Sequence, residues 1–352
     1  MQSDYDIAII GAGIAGASLA FALRGRAKTV LIEAEDHPGY HTTGRSAAFY
    51  TETYGGSAVR ALTTASKAFF FAPPEGFSPT PLVHPRGALH IATQQQAVCI
   101  NAMLNDYKDY PAIHQLSAAE VYALAPVLKS GRFIGGIYDP DCKDIDVAAL
   151  HGGYLRGAQK AGITLLKKAP VTALKHNGRC WHITAGEANV RATIIVNAAG
   201  AWADAIAGLA GVSTKGLTPM RRTIITFKPA ADLYNGALPL VIDIEDRFYF
   251  KPEAGLIWAS PADETPMPAS DVQPDELDIA LTAERIEAAT RFKIDHVHST
   301  WAGLRTFAPD RAPVFGFDTN TPGFFWCAGQ GGFGIQTAPA ASDHCASLIL
   351  ER

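Results

Sequence analysis

The first forty residues place apolar side chains in two different patterns. Residues 5–10 form a short β-branched run of the kind found in buried parallel strands, and residues 14–23 continue as a small-residue apolar segment of helical length. A second apolar run covers residues 29–32. This order predicts a strand, a helix and a second strand that pairs with the first in parallel.

The same patterns predict elements along the rest of the chain. Ser117, with Glu120 three residues later, is expected to be a helix N-cap. Asp144 and Asp146 are both interpreted as capping residues rather than as catalytic bases. Helices are expected at 60–70, 97–107, 118–124, 147–162, 275–290 and 335–350, and strands at 85–93, 163–166, 171–175, 180–184, 192–197, 219–228, within 239–260 and from 325.

Three glycines follow the first strand at G-x-G-x-x-G spacing, namely Gly11, Gly13 and Gly16. This spacing permits a tight turn, a close approach of a pyrophosphate and close packing of the helix on the strand. The free N–H groups of the helix N-terminus would face the phosphates. Glu33 ends the second strand, where a carboxylate can accept hydrogen bonds from an adenosine ribose. A dinucleotide site is therefore predicted, with a plain structural turn as the alternative.

Composition limits the class of protein. A chain of 352 residues, 48% of them hydrophobic, can bury about two domain cores. The net charge of -4 provides no basic surface for nucleic acid. Five scattered cysteines show no metal-ligand spacing and suit inert thiols in a reducing compartment. No signal peptide and no transmembrane segment are predicted, so we expect a cytoplasmic protein, with peripheral association at the inner face of the membrane left open.

Five segments carry a family resemblance: GAGIAGAS, TTGRSAAFYT, NAAGAWAD, WAGLRTF and GGFGIQTAPA. Together they resemble the D-amino-acid oxidase superfamily of flavoproteins, and within it most closely D-arginine dehydrogenase and related D-amino-acid dehydrogenases. The resemblance implies an α/β fold in which a Rossmann-type FAD-binding domain (1–80, 145–216 and 301–352) is interleaved with an α+β substrate-binding domain on a mixed β-sheet (81–144 and 217–300). It also implies non-covalent FAD and oxidation of a D-amino acid to an imino acid.

The resemblance further implies which residues surround the cofactor. The final helix is expected to direct its N-terminus at the pyrimidine side of the flavin, where its dipole would stabilise the negative charge of reduced flavin. The implied cofactor positions are Gly11, Gly13, Ile14, Ala15, Gly16, Glu33, Ala34, Thr43, Gly44, Arg45, Ser46, Ala48, Val171, Ala199, Gly200, Trp202, Gly303, Arg305, Gly331, Gly332, Phe333, Gly334, Ile335 and Gln336.

The residues implied to act on the substrate are few, because the flavin accepts the electrons. Arg222 and Arg305 match carboxylate-binding positions, and the planar fork of arginine suits a carboxylate. Without the resemblance, a strand arginine is more often a surface or ion-pair group. Arg221 must face the opposite side of its strand from Arg222. The implied catalytic residues are Tyr54, Arg222, Tyr249, Arg305 and Gly332, where Gly332 offers its carbonyl to the amine.

The substrate side-chain pocket differs from that of the arginine enzyme. Ala88 stands where that enzyme has a glutamate, and Phe49 stands where it has a histidine. Leu240 and Ile242 match other wall positions. Because no acid occupies these positions, apolar or aromatic D-amino acids are predicted to be preferred over D-arginine and D-lysine. The alternative is that Glu52 or Asp243 reaches the pocket and restores a basic preference.

Other functions stay open at this point. A flavin-dependent 2-hydroxy-acid dehydrogenase would need a base such as histidine near the flavin. Sarcosine-oxidase-like relatives carry a flavin-linked cysteine after the matching arginine, whereas residues 306–310 contain none. A flavin-binding subunit without catalysis is a third alternative, which the retained arginines and tyrosines disfavour. The expected partner is a small-molecule substrate, an amino acid, and the electron acceptor, whether a quinone, a dye or oxygen, is left open.

Overall fold

The computed structural model describes residues 3–351 of the chain. The α-helices of this part are α1 Ile14–Leu23, α2 Ser57–Phe71, α3 Ala97–Asp106, α4 Ala118–Leu124, α5 Val147–Lys160, α6 Ala203–Leu209, α7 Glu276–Ala289 and α8 Gly334–Leu350. The strands are β1 Ser3–Ile10, β2 Thr29–Ile32, β3 Phe49–Tyr50, β4 Val83–Pro85, β5 Ala88–Thr93, β6 His114–Ser117, β7 Phe133–Asp139, β8 Lys143–Ile145, β9 Thr164–Leu166, β10 Val171–His176, β11 Trp181–Ala185, β12 Ala188–Asn197, β13 Thr218–Phe227, β14 Leu240–Asp243, β15 Tyr249–Glu253, β16 Leu256–Ser260, β17 Thr265–Pro266, β18 Ser299–Phe307, β19 Val314–Phe317, β20 Phe324–Ala328 and β21 Gln330–Gly331.

The N-terminal pattern folds as the predicted βαβ unit. β1 pairs in parallel with β2 on one side and with β12 on the other, and β2 pairs in parallel with β9. β20 continues the sheet in parallel beside the end of β12, while β10 and β11 extend it as an antiparallel hairpin. The carboxyl ends of β1, β2 and β12 therefore lie at one edge of the sheet, where open α/β sheets bind ligands.

Helices cover this first sheet because its central strands are apolar on both faces. Leu19 and Leu23 of α1 pack with Ile349 of α8 on one face, beneath Ile9 of β1. On the other face, side chains of β1, β2 and the β10–β11 hairpin form one cluster with α6. Burial on both sides fixes β1 and α1, so the turn that joins them has little freedom to move.

The second large sheet is mixed and mostly antiparallel. Its strand order is β21-β18-β13-β16-β15-β14-β5-β7-β6, with β17 paired to β13 and with one parallel pair, β5 and β14. Its core includes Phe227, Phe250 and Phe292, packed against α4 and α7. The α/β fold with a mixed second sheet is confirmed. The assignment of residue ranges to two domains stays a prediction.

The local predictions were correct where capping and periodicity agreed. Ser117 caps α4 in a capping box with Glu120, and Asp146 caps α5 by accepting the Ala149 N–H at 2.8 Å. The predicted strand at 85–93 is two strands, because Gly87 turns the chain at φ +73°.

One capping assignment was wrong. Asp144 caps no helix, since it lies on β8 and its carboxylate binds Arg86 and Lys251 at 2.6 and 2.9 Å. Strand β8 pairs with β3 and β4 in a small third sheet. None of the helices in the described range 3–351 is both long and apolar enough to cross a bilayer.

Candidate active site

The turn from β1 into α1 is closed by glycines where no side chain fits. Gly11 has φ +101°, and a Cβ there would collide with the carbonyl oxygen of Ala198. A Cβ on Gly16 would collide with the carbonyl oxygen of Gly11, so Gly16 sets how closely α1 approaches β1. Gly13 precedes α1 and supplies no side-chain cap. The N-cap position of α1 therefore adds no side chain between the helix end and a ligand, as at phosphate-binding helix ends.

Two side chains hold this turn in place. The Glu33 carboxylate accepts the N–H of Ala12 at 2.8 Å and the N–H of Glu35 at 3.0 Å. Thr43 Oγ1 accepts the N–H of Ile14 at 2.9 Å. Since Glu33 is buried at the end of β2 and also lines the neighbouring cavity, it keeps lone pairs for a ligand hydroxyl.

A cavity of about 880 Å³ opens beside this turn and is lined by residues of both large sheets. All the implied cofactor positions line it except Gly16 and Gly44. Gly16 packs α1 on β1, and Gly44 closes its own loop by donating its N–H to the Gly39 carbonyl at 2.8 Å. The implied catalytic and side-chain residues line the same cavity, namely Phe49, Tyr54, Ala88, Arg222, Leu240, Ile242, Tyr249, Arg305 and Gly332.

Arg305, on β18, is the most buried of the arginines that line this cavity. Its Nη2 donates to the Tyr54 hydroxyl at 2.8 Å, and its Nη1 donates to Glu264 Oε1 at 3.2 Å. The guanidinium lies so close to Gly332 that a Cβ there would collide with it. Burial alone would lower the pKa of Arg305, but Tyr54 and Glu264 hold this pKa above its ordinary value. Arg305 is therefore a fixed, permanent cation facing the cavity.

Arg222 and Arg221 point to opposite sides of β13, as predicted. Arg222 lines the cavity and donates Nε to the Asp263 carbonyl at 2.8 Å. Arg221 faces away and pairs with Asp278 at 2.8 Å. Of these two arginines, Arg222 is therefore the one that lies at the cavity with Arg305.

Glu264 joins the cavity arginines to one another. Its Oε1 accepts from Arg222 at 3.4 Å, from Arg305 at 3.2 Å and from Arg311 at 3.0 Å. Burial alone would raise the pKa of Glu264, but these three cations hold it below the usual 4.5. Three positive charges share one carboxylate, so this end of the cavity attracts an anion.

The opposite wall of the cavity is largely apolar. Ala88 on β5 and Leu240 on β14 are buried in contact with Cys142, with Phe49, Ile242 and Tyr249 packed against them. Neither acid considered as a replacement for the missing glutamate reaches this wall. Glu52 binds Lys67 at 2.7 Å, and Asp243 accepts the Gln96 amide at 3.1 Å. Asp246, in the turn between β14 and β15, does line the cavity and lies near Arg222 and Arg305.

Two implied cofactor residues are engaged with the protein itself. Arg45 donates to the carbonyl oxygens of Val272 and Ala302, both at 3.0 Å, and so ties its loop to β18. Gln336, in the first turn of α8, donates its amide to Thr63 Oγ1 at 2.9 Å. Their side chains fix the walls of the cavity.

Sequence reasoning missed several residues of this site. His151 on α5 donates Nε2–H to the Ala12 carbonyl at 2.8 Å, and burial lowers its pKa. His90 lines the apolar wall, and Glu264 and Arg311 complete the charged end. His90 could have been predicted to face the cavity, because residues two positions apart on a strand, such as Ala88 and His90, point to the same side. Nothing local marks Glu264, which lies in a loop.

The cavity fits FAD. The glycine turn leaves room where a Cβ would fill it, the N-termini of α1 and α8 both line the cavity, and Glu33 stands where an adenosine ribose is recognised. Among the described residues, none of the five cysteines lines the cavity, and no cluster of three or more metal-ligating side chains occurs.

Comparisons with known proteins agree with this geometry. Rat (Rattus norvegicus) dimethylglycine dehydrogenase is 26% identical over 97% of this chain, but the match spans only 42% of that enzyme. Glycine oxidase of Bacillus licheniformis is 23% identical, over 99% of this chain and 94% of its own length. The structure of glycine oxidase from Geobacillus kaustophilus superposes with a TM-score of 0.85 at 20% identity, covering 99% of this chain and 95% of that one. The family model for FAD dependent oxidoreductases, DAO, matches residues 6–348, so the chain belongs to this family and uses FAD.

Proposed function

We propose that the protein oxidises D-amino acids with apolar or aromatic side chains to imino acids. The observation that supports this proposal is that the fixed cation Arg305 lies in the same cavity as the apolar wall of Ala88, Leu240 and Ile242. An α-amino acid carries a carboxylate and a side chain on one carbon, and such a cavity matches both groups. The D-configuration follows from the motif resemblance.

The side chains would position the substrate for reaction. Arg305 and Arg222 hold the carboxylate, and Tyr54 fixes the Arg305 fork through its 2.8 Å hydrogen bond. The Gly332 carbonyl accepts from the amine, and the apolar wall excludes water from the reacting carbon. FAD supplies the acceptor for the hydride that leaves Cα. The imino acid is then released and hydrolyses to a 2-oxo acid and ammonia.

Glycine or an N-substituted glycine is the second candidate, favoured by the similarity to a glycine oxidase and a dimethylglycine dehydrogenase. Such a substrate has no side chain, and it would leave the wall formed by Phe49, Ala88 and Leu240 without a partner. A 2-hydroxy acid is the third candidate. Its oxidation needs a base at the cavity, and His90 on the apolar wall is a histidine that would have to serve as that base.

Anaerobic reduction of the bound flavin distinguishes these candidates. The purified protein is mixed with D- and L-forms of leucine, methionine and phenylalanine, with sarcosine and dimethylglycine, and with 2-hydroxy acids of the same side chains. We expect the D-amino acids to bleach the flavin absorbance fastest. Faster bleaching by sarcosine, by an L-amino acid or by a hydroxy acid would contradict the proposal and identify that class as the substrate.

A further inference from the structure

His90 is the polar exception in the apolar wall of the cavity. It lies on β5 two residues after Ala88, so both side chains project from the same face of the strand. In the register of the sheet it stands beside Ile242 of β14. The two strands thus present Ala88, Leu240, Ile242 and the His90 ring side by side to the ligand space.

The hydrogen bonds of this ring are incomplete. Nδ1 is enclosed by protein and has no hydrogen-bond partner among the described residues. Burial lowers the pKa of His90 to about 4, so the ring is neutral and carries one proton at physiological pH. An enclosed N–H without an acceptor is rarer and more costly than an unpaired lone pair, which places the proton on Nε2. The cavity-lining part of the ring therefore offers an N–H donor.

A buried N–H without an acceptor lowers the stability of the fold. A ligand that supplies the acceptor removes this cost and gains a hydrogen bond. We propose that His90 is a specificity residue that donates Nε2–H to an acceptor atom of the substrate side chain. This role of His90 rests on the proposed function. It predicts that the preferred substrates are D-amino acids with an uncharged side chain that carries a hydroxyl or carboxamide oxygen beyond an apolar stem. A guanidinium or an ammonium has no lone pair to accept this bond.

The test compares substrates that differ in this one acceptor. Ratios of kcat/KM are measured for D-tyrosine against D-phenylalanine and for D-glutamine against D-methionine, in the wild type and in His90→Leu, His90→Gln and His84→Leu. We expect His90→Leu to lower at least one ratio about tenfold or more, because a pocket built to donate discriminates by its hydrogen bond. His90→Gln, which keeps an amide donor, should restore that ratio to within about threefold. His84, an exposed histidine on β4, is the matched control and should change neither ratio.

Ratios that both stay within about twofold of the wild type in His90→Leu would overturn the proposal. So would a loss of thermal stability in this variant with unchanged ratios, since that result assigns His90 a structural role. If no D-amino acid reduces the wild-type flavin, the proposed function has failed, and His90 is tested by binding instead. Flavin absorbance titrations with 4-hydroxyphenylacetate and phenylacetate then give the affinity ratio, and its loss in His90→Leu supports the donor role.

Discussion

Arg305 and Tyr54 lie 251 positions apart in the sequence and meet in a 2.8 Å hydrogen bond between Nη2 and the phenol oxygen. The Tyr54 ring packs edge-on against Phe333, with the ring centroids 4.8 Å apart, so the hydroxyl is held in position. Gly332 closes the other side of the guanidinium. These contacts leave Arg305 few alternative rotamers, which is what a carboxylate clamp requires.

Tyr54→Phe tests this arrangement. The substitution keeps the ring contact with Phe333 and removes only the hydroxyl that accepts from Arg305. A hydrogen bond to a charged group contributes about 1.5–3 kcal/mol, so we expect kcat/KM for the best D-amino acid to fall about tenfold or more. Steady-state kinetics with unchanged FAD content makes the comparison. A change below about twofold would show that Arg305 needs no partner at this position.

The FAD is predicted to be bound without a covalent link. Residues 306–310 contain no cysteine, and none of the cysteines lines the cavity in the described part of the chain. The purified protein should therefore be yellow and should release FAD into the supernatant on acid precipitation. Flavin that stays with the precipitate contradicts this expectation.

Side-chain preference follows from the composition of the wall. With Glu52 and Asp243 bound elsewhere, a guanidinium among Phe49, Ala88 and Leu240 would be an uncompensated charge, which costs several kcal/mol. D-phenylalanine, D-leucine and D-methionine are expected to exceed D-arginine and D-lysine by at least about tenfold in kcat/KM. D-arginine as the best substrate would show that an acid such as Asp246 reaches it, and Asp246→Asn should then abolish that preference.

The sequence predicted the parts of the site that depend on local chain geometry. Gly11 and Glu33 belong to one βαβ unit, whose helix α1 and strand β2 begin and end at the residues that the apolar pattern indicated. Arg305 and Tyr54 were identified only through the family resemblance, because neither local sequence indicates that these two side chains form a hydrogen bond. Asp144 was misassigned because an acid two residues before the true N-cap, Asp146, looks like a capping residue in the sequence. Its actual partner, Lys251, lies 107 positions away and could not be inferred locally.

The same limit explains why Glu264 was missed. Its loop, between β16 and β17, is held by Asp263, whose carboxylate accepts the Thr223 N–H at 2.7 Å. Three arginines converge on Glu264 only after β13 and β18 have paired. Tertiary contacts of this kind leave no periodic trace in the sequence.

Glu264→Gln is predicted to destabilise the protein at neutral pH. The side chain is 32% exposed, so we expect a loss of about 1–2 kcal/mol, below the cost of breaking a fully buried pair. The cations depress the folded-state pKa of Glu264 below 4.5, so its stabilising contribution is present above pH 4.5 and is lost as pH falls through that lower value. Thermal unfolding of both proteins from pH 7 to pH 3.5 should show a difference in Tm that narrows with acidification. An equal difference at all pH values would exclude the charge of Glu264 as its origin.

Arg305→Met tests whether a fixed arginine orients an α-amino acid at the flavin. The measurement is the anaerobic rate of flavin reduction by the best D-amino acid, compared with the wild type and with Arg132→Met, an exposed arginine as the control. Losing a bidentate charge-assisted contact removes a few kcal/mol of transition-state stabilisation, so the second-order rate constant of flavin reduction should fall about a hundredfold or more with FAD still bound, while Arg132→Met changes nothing. A fall of less than about fivefold in Arg305→Met would show that Arg305 does not orient the substrate.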